Sequence, residues 1–364
     1  MVHDATTILL KGLPNARQPS PPIRQVCENG YIHAPFVLVN ISFDNGIFLP
    51  DLDLWLDPGT KQSIAFVSHA HSDHTGYHPE VILSEITARL MAARLPGKRI
   101  EHALPFHSRF QFRNASITLL PAGHILGSAQ IYVENGAGAS LLYTGDFKLR
   151  PGKSAEAIAW RSADTLIMET TFGLPRYVFP PVEEVIGKLI SFCMESIGAG
   201  QIPILFGYSL GKAQEILAAL HEPGFRVFLH PAVYEMTRLY QDFYQSFPAF
   251  ELYTGKLPDG SILICPPGAN HMLISRIENR RTAMLTGWAL DSGAVYRYQC
   301  DALFPLSDHA DYTDLMRYVE LVQPKRVFTV HGFASQFAQD LRRRGVEAWP
   351  LGQDHQLELP GIPA

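Results

Sequence analysis

Residues 69–74 read His-Ala-His-Ser-Asp-His, four potential metal ligands in six positions. They follow the apolar run Ile64-Ala65-Phe66-Val67. Alternate residues of a strand share a face, so His69 and His71 at a strand end project together. The chain then turns, and Asp73 and His74 approach from the loop. Neutral imidazoles with a carboxylate are a ligand set for zinc, with manganese or iron as substitutes. A bound divalent cation lowers the pKa of water from about 15.7 to about 7. The indicated chemistry is hydrolysis, of an acyl compound or of a phosphodiester, and the motif alone leaves both open.

The same placement recurs three times. His124 ends Leu119-Leu120-Pro121-Ala122-Gly123-His124, Asp146 ends Leu141-Leu142-Tyr143-Thr144-Gly145-Asp146, and His331 ends Val327-Phe328-Thr329-Val330-His331. A glycine beside each permits close backbone approach. A lone His or Asp in such a setting is as readily a capped strand end as a ligand. Their order and spacing together carry the inference. His3, His33, His78, His102, His107, His221, His230, His271 and His355 lack this setting and are expected to be structural or surface residues.

Short elements must position these groups. Runs bounded by Gly, Pro, Asn or Asp predict strands over 52–57, 64–69, 117–121, 130–134, 141–145 and 165–169. A helix is expected over 84–95, with Ser84 as N-cap. After Pro180-Pro181 the texture becomes helix 182–197, strand 202–206, helix 211–221, strand 226–230 and helix 233–244. That alternation predicts a parallel, doubly wound sheet. A final stretch suggests strand 302–306, helix 310–322, strand 326–330 and helix 335–345. The first 30 residues, broken by Pro14, Pro19, Pro21 and Pro22, suggest an extended arm.

The order HxHxDH, later His, later Asp and final His resembles the metallo-β-lactamase superfamily from about residue 30 onward. The resemblance implies an α/β protein with a four-layer αββα sandwich. It implies one zinc held by His69, His71, His124 and Asp146, and a second by Asp73, His74, Asp146 and His331. Manganese is a possible substitute. Asp57, in Trp55-Leu56-Asp57-Pro58-Gly59, matches the family's early strand-end aspartate, a partner that orients the site.

Three features select a branch. About 120 residues separate Glu169 from the region near 300, far more than a simple loop. Leu166-Ile167-Met168-Glu169 ends a strand in an acid, and Leu306-Ser307-Asp308-His309-Ala310-Asp311 places a histidine upstream of His331. Together they resemble the β-CASP nucleases, with Glu169, His309 and His331 at its three motifs. The resemblance implies that His309 protonates the leaving oxygen and Glu169 holds or polarises it. It also implies an inserted α/β domain, giving 1–30 as an arm, 31–178 and 301–364 as the two parts of the sandwich, and 179–300 as the insertion. Within it, Phe206–Ala213 forms a strand-to-helix turn with Lys212 that suits a phosphate. Ser128 and Ser307 are further candidates for substrate contact.

Composition limits the alternatives. The chain has 364 residues, 46% hydrophobic and 18% charged, with 30 Lys+Arg against 35 Asp+Glu. A general basic face for nucleic acid is not visible in a net charge of −5. Two zinc ions offset by Asp73, Asp146 and a hydroxide leave the inner site at about +1, so attraction of a polyanion can be local. No apolar run approaches the ~18 residues of a membrane span, and the four cysteines carry no CxxC pair. A cytoplasmic protein with no membrane partner is expected. Residues 169–181, 207–214 and 330–332 are similar to bacterial DNA ligase-associated exonucleases and RNA 3′-end-processing-factor-like proteins. The expected activity is therefore a two-zinc DNA exonuclease linked to repair, with ligase or helicase partners. An RNA-processing ribonuclease is the alternative, since His331 is similar to the RNA-processing members at the third motif. A small-ester or thioester hydrolase leaves the insertion, Glu169 and His309 without roles. A silent scaffold would usually have lost ligands, and here all seven are present.

Overall fold

The computed structural model describes residues 39–43, 46–221, 224–243, 247–269 and 274–352. The expected N-terminal arm, and with it Cys27, lies outside them, as do His3, His33, His271 and His355. A first sheet takes its strands in chain order: β1 (Ser42–Phe43), β2 (Ile47–Leu49), β3 (Leu54–Leu56), β4 (Ile64–Phe66), β5 (Glu80–Ser84) and β6 (Ile100–Leu104). A second sheet begins with β7 (Arg109–Phe112), β8 (Ala115–Pro121), β9 (Ala129–Asn135) and β10 (Ser140–Tyr143), paired antiparallel. Parallel β11 (Thr165–Glu169) follows beside β10.

The chain then builds a third sheet from β12 (Ile202–Phe206), β13 (Arg226–Leu229), β14 (Phe250–Leu252), β15 (Ser261–Cys265), β16 (Arg280–Leu285) and β17 (Ala302–Phe304). Its order is β14-β13-β15-β12-β16-β17, and every pairing is parallel. The chain returns to the second sheet with β18 (Arg326–Val330), parallel to β11, and β19 (Ala348–Pro350). The described helices are α1 (Glu85–Arg94), α2 (Val182–Gly198), α3 (Lys212–Ala219), α4 (Pro231–Tyr240), α5 (Ala294–Tyr298), α6 (Tyr312–Val322) and α7 (Ala334–Arg343).

Period-two alternation assigns the layers. Leu119, Leu141, Tyr143 and Ile167 of the second sheet meet Leu54, Leu56, Phe66 and Ile82 of the first in one core. Their neighbours Leu120, Leu142, Leu166 and Met168 turn the other way, onto α6 and α7. Val81 and Leu83 likewise leave the first sheet to meet Leu90 and Met91 of α1. The result is an αββα sandwich. Burying each such side chain contributes about 1.5–3 kcal/mol relative to exposure. The third sheet has its own core, with Val185, Leu189 and Phe192 of α2 against Leu205, Ile262 and Leu285.

β11, β12 and β18 have the expected bounds. Ser84 caps α1, its side chain accepting from the Thr87 N–H at 3.0 Å. Other boundaries moved. Pro50–Leu52 forms a 3-10 turn, so β3 starts at Leu54. Residues 302–304, expected in the returning sandwich, pair with Ala283–Leu285 and close the inserted sheet. β15 and β16 were not anticipated. Ser261–Cys265 is buried at every position, and a five-residue run without alternation is not separable from a buried helix segment by period.

Candidate active site

His69, His71 and His124 stand at the ends of strands and in the turns that follow β4 and β8, and their ligating nitrogens cluster. The His71 Nε2–H donates to the Leu210 carbonyl (3.0 Å) and the His124 Nδ1–H to the Asp308 carbonyl (2.8 Å). The opposite nitrogens are left as bare lone pairs. His71 Nδ1 lies 3.0 Å from His69 Nε2 and 3.2 Å from His124 Nε2. Lone pairs at such separations repel unless a cation stands among them, and neutral imidazoles are the form that binds one. Burial, and then the neighbouring histidines, hold His69 well below the usual histidine range. Burial and then His309 bring His124 to about 3.

Asp146 joins this cluster from the end of β10. Its Oδ2 is 3.3 Å from His74 Nε2, 3.6 Å from His69 Nε2 and 3.8 Å from His124 Nε2. Gly145 before it has φ +53, and a Cβ there would stand 2.5 Å from Ser68 Cβ, so the close approach needs glycine. Asp57 holds the other side of His74. With φ +41 at the end of β3, it aims one carboxylate oxygen at the Ser68 N–H (2.7 Å). The other oxygen accepts from the Tyr143 hydroxyl (2.9 Å) and from His74 Nδ1 (3.0 Å). Burial opposes a charge on His74, but Asp146 and Asp57 outweigh it and raise its pKa well above the usual value. A field that favours a proton there favours a divalent cation as well.

Two expected ligands occupy the rim. Asp73 has a side chain 77% exposed, with Oδ2 3.7 Å from His74 Nε2. His331, at φ +59, is exposed and its ring centroid is 5.9 Å from that of His74. Neither belongs to the groups whose ligand atoms lie within 4.8 Å of one another.

Glu169, at the end of β11, and His309, in the connection before α6, meet beside the cluster. His309 Nδ1 is 2.8 Å from Glu169 Oε1, whose oxygen also accepts from the Phe147 N–H. The His309 and His124 ring centroids are 4.6 Å apart, and His309 falls into one ligand group with His124 and Asp146. Burial works against the imidazolium, yet Glu169, then Asp146 and Asp308, push its pKa up to about 10.

A family profile described as the Zn-dependent metallo-hydrolase RNA specificity domain matches residues 302–349, which carry both His309 and His331. Over 322 residues the chain is 54% identical to a probable DNA ligase of Opitutus terrae, covering 88% of this chain and 32% of that one. It is 27% identical over 349 residues to the 5′ exonuclease Apollo of Gallus gallus, covering 87% and 68%. In this profile, in these relatives and in the order of its site residues the chain resembles the β-CASP branch of the metallo-β-lactamase superfamily. It spans about a third of the length of the first curated relatives it matches. A crystal structure of an Enterococcus faecalis V583 protein of unknown function superposes with a TM-score of 0.56 at 13% identity, over 80% of this chain and 79% of that one. At that identity the likeness is one of fold.

The three residues expected to touch substrate are committed elsewhere. Lys212 is 2% exposed, and its ammonium donates to the Leu306 carbonyl (2.7 Å) and pairs with Asp308 Oδ1 (3.1 Å). Ser128 Oγ accepts from the His124 and Ile125 N–H groups (3.1 and 3.2 Å), bracing the His124 turn. Ser307 Oγ accepts from the His309 N–H at 3.0 Å. A buried polar group must find a partner inside the fold, and these found theirs. Sequence patterns missed Asp308, Tyr143 and the Leu210 carbonyl. Asp308 lay within the quoted motif, and Lys212 and the nearby histidines hold its carboxyl well below the usual range despite burial. A cleft of 710 Å³ opens over the cluster, walled by His71, Asp146, His309 and His331 and by Tyr208 and Trp288 of the inserted part. Among the described residues, no helix is long and apolar enough to cross a membrane.

Proposed function

We propose that this protein is a two-zinc nuclease that removes nucleotides from the end of a DNA strand during repair. The observation that carries the reading is the Glu169–His309 pair standing against the ligand cluster. Bound cations supply Lewis acidity and an ionised water at neutral pH. The inner ion would be held by His69, His71, His124 and Asp146, and the outer one by Asp73, His74, Asp146 and His331. Glu169 holds Nδ1 of His309, which leaves Nε2 to carry a proton to the departing sugar oxygen. Asp57 keeps His74 in one orientation through Nδ1. An ester or thioester hydrolase would leave this acid pair unused.

The chain divides, in this reading, into a sandwich beginning near residue 31, an insertion from 179 to Phe304, and a returning sandwich segment. DNA is favoured because the relatives in Opitutus terrae and Gallus gallus are named a DNA ligase and a 5′ exonuclease. The length of the first supports a ligase as working partner. An RNA-processing activity is the second reading, favoured by the profile over 302–349 and its description as an RNA specificity domain. The free Cys193, Cys265 and Cys300 suit a reducing, cytoplasmic setting.

The test is digestion of labelled single- and double-stranded DNA and RNA with free or blocked ends, alongside metal analysis. Two zinc per chain and shortening of free-ended DNA are expected. RNA cleavage alone would select the second reading. Thioester turnover with every nucleic acid left intact would overturn both.

A further inference from the structure

We propose that a groove beside the metal cleft holds the nucleotide next to the scissile phosphate, as unpaired single strand, with Arg94 as its phosphate ligand. The inference rests on the nuclease reading and adds where the substrate strand runs. A second cleft of 410 Å³ adjoins the first, and Ser72, Arg94 and Ser209 line both. The two are therefore one continuous groove, leading from the ligand cluster past the end of α1.

Arg94 differs from its neighbours. Arg89, on the same helix, pairs with Asp242 at 3.7 Å, and Arg99 pairs with Glu101 at 3.3 Å. Among the described residues Arg94 makes no ion pair, and Asp73 is the one carboxylate that acts on it through space, with the Tyr240 phenol beside it. Its place in the last turn of α1 stabilises a cation through the helix dipole without a carboxylate partner. A guanidinium left free on a groove wall presents a planar fork of donors that matches a phosphate. The hydroxyls of Ser72 and Ser209 flank it, and neither is engaged inside the described fold.

The remaining walls suit a nucleoside. Ala93, Leu95 and Met236 give an apolar floor, and Tyr77 at the outer groove is 64% exposed. Tyr208, lining the metal cleft, is 60% exposed. Aromatic rings open to solvent along a strand path stack bases that are free of a duplex, which is why the occupant is a single strand. Glu235 is the carboxylate of this groove and repels an anion, so the phosphate belongs on the Arg94 side.

The test measures binding of a fluorescein-labelled phosphorothioate oligothymidylate, and of its ribose counterpart, by anisotropy across a salt series. Arg94→Ala should weaken binding about tenfold and reduce the salt slope by about 0.7, the value of one single-strand phosphate contact. Arg94→Lys should fall between, Glu235→Gln should tighten binding, and Arg89→Ala should match the wild type. In turnover, the ratio of kcat/KM for the oligonucleotide over that for bis(p-nitrophenyl) phosphate should fall about tenfold in Arg94→Ala. Wild-type protein that fails to bind the oligonucleotide, or an Arg94→Ala variant with unchanged affinity and slope, overturns the groove even if DNA is cleaved. Arg94-dependent binding with no cleavage of any phosphodiester upholds the groove and overturns the nuclease reading.

Discussion

The inner and outer halves of the ligand cluster are built to different degrees. His71 and His124 each have their second nitrogen bound to a backbone carbonyl, His74 has its second nitrogen on Asp57, and all of these rings are already aimed. Asp73 and His331 stand exposed on the rim, and the described residues supply no hydrogen-bond partner to the His331 ring. A group held by partners is positioned before a cation arrives, whereas an exposed one must be ordered by the cation itself. In the proposed two-zinc reading the two positions would not be equivalent: the inner ligands are set by the fold, whereas the outer position has only His74 and Asp146 in place and would be completed by Asp73 and His331 on binding. A titration of metal-depleted protein should therefore show a tight first equivalent, which raises Tm most, and a weaker second equivalent that a chelator removes first.

Substitutions can break this contrast. His71→Ala removes an inner lone pair, and both inner metal and turnover should fall by more than the ~10–100-fold typical of an outer partner, as read by metal content and rate. Retention of two metals would refute the assignment. Lys212→Met acts one step away: it leaves Asp308 without its cation, and Asp308 carries the carbonyl that orients His124. Breaking a buried pair from one side costs about 3–5 kcal/mol, visible in denaturant melts, and inner-metal affinity should drop with it. The double variant Lys212→Met with Asp308→Asn should recover stability. If Lys212 instead bound phosphate, substrate KM would rise with stability intact.

Smaller effects should mark the rim. Asp73→Ala or His331→Ala should lose one metal equivalent and most turnover, while stability of the metal-depleted protein changes by no more than about 0.5 kcal/mol. A large loss of stability there would erase the contrast. Ser128→Ala should spare turnover: it removes the acceptor shared by two N–H groups of the His124 turn and costs about 1 kcal/mol of stability without altering KM. A selective rise in KM would restore Ser128 to substrate contact.

Legibility followed the distance along the chain. His69 through His74, His124, Asp146 and His331 were readable because each follows an apolar run that forms a strand, and a strand end needs only local pattern to recognise. The β11, β12 and β18 strands, with sharp breakers at both ends, came out with the same bounds. β15 and β16 did not: β15 is buried at every position, and β16 opens with exposed Arg280 and half-buried Arg281 before its buried half, so neither shows a period of two. The fate of Lys212, Ser128 and Ser307 was illegible for another reason. A lysine or hydroxyl at a helix start looks the same whether it faces a substrate or the protein's own backbone.

By itself, then, the order of residues determined the candidate ligand types, their strand-end placement and the strand and helix texture around them, while the αββα layering and the pairing of Glu169 with His309 were expected only from the family resemblance. Strand-end placement and texture depend on covalent neighbours and on periods of two or about 3.6 residues. Only the tertiary structure decided which nitrogen of each histidine is free. The His71–Leu210 bond joins residues 139 apart in the chain and His124–Asp308 joins residues 184 apart. It likewise decided that Arg94 has no ion pair among the described residues and that Lys212 is spent, because partners for buried or half-buried charges are chosen by packing between elements, and no local pattern encodes which elements will meet.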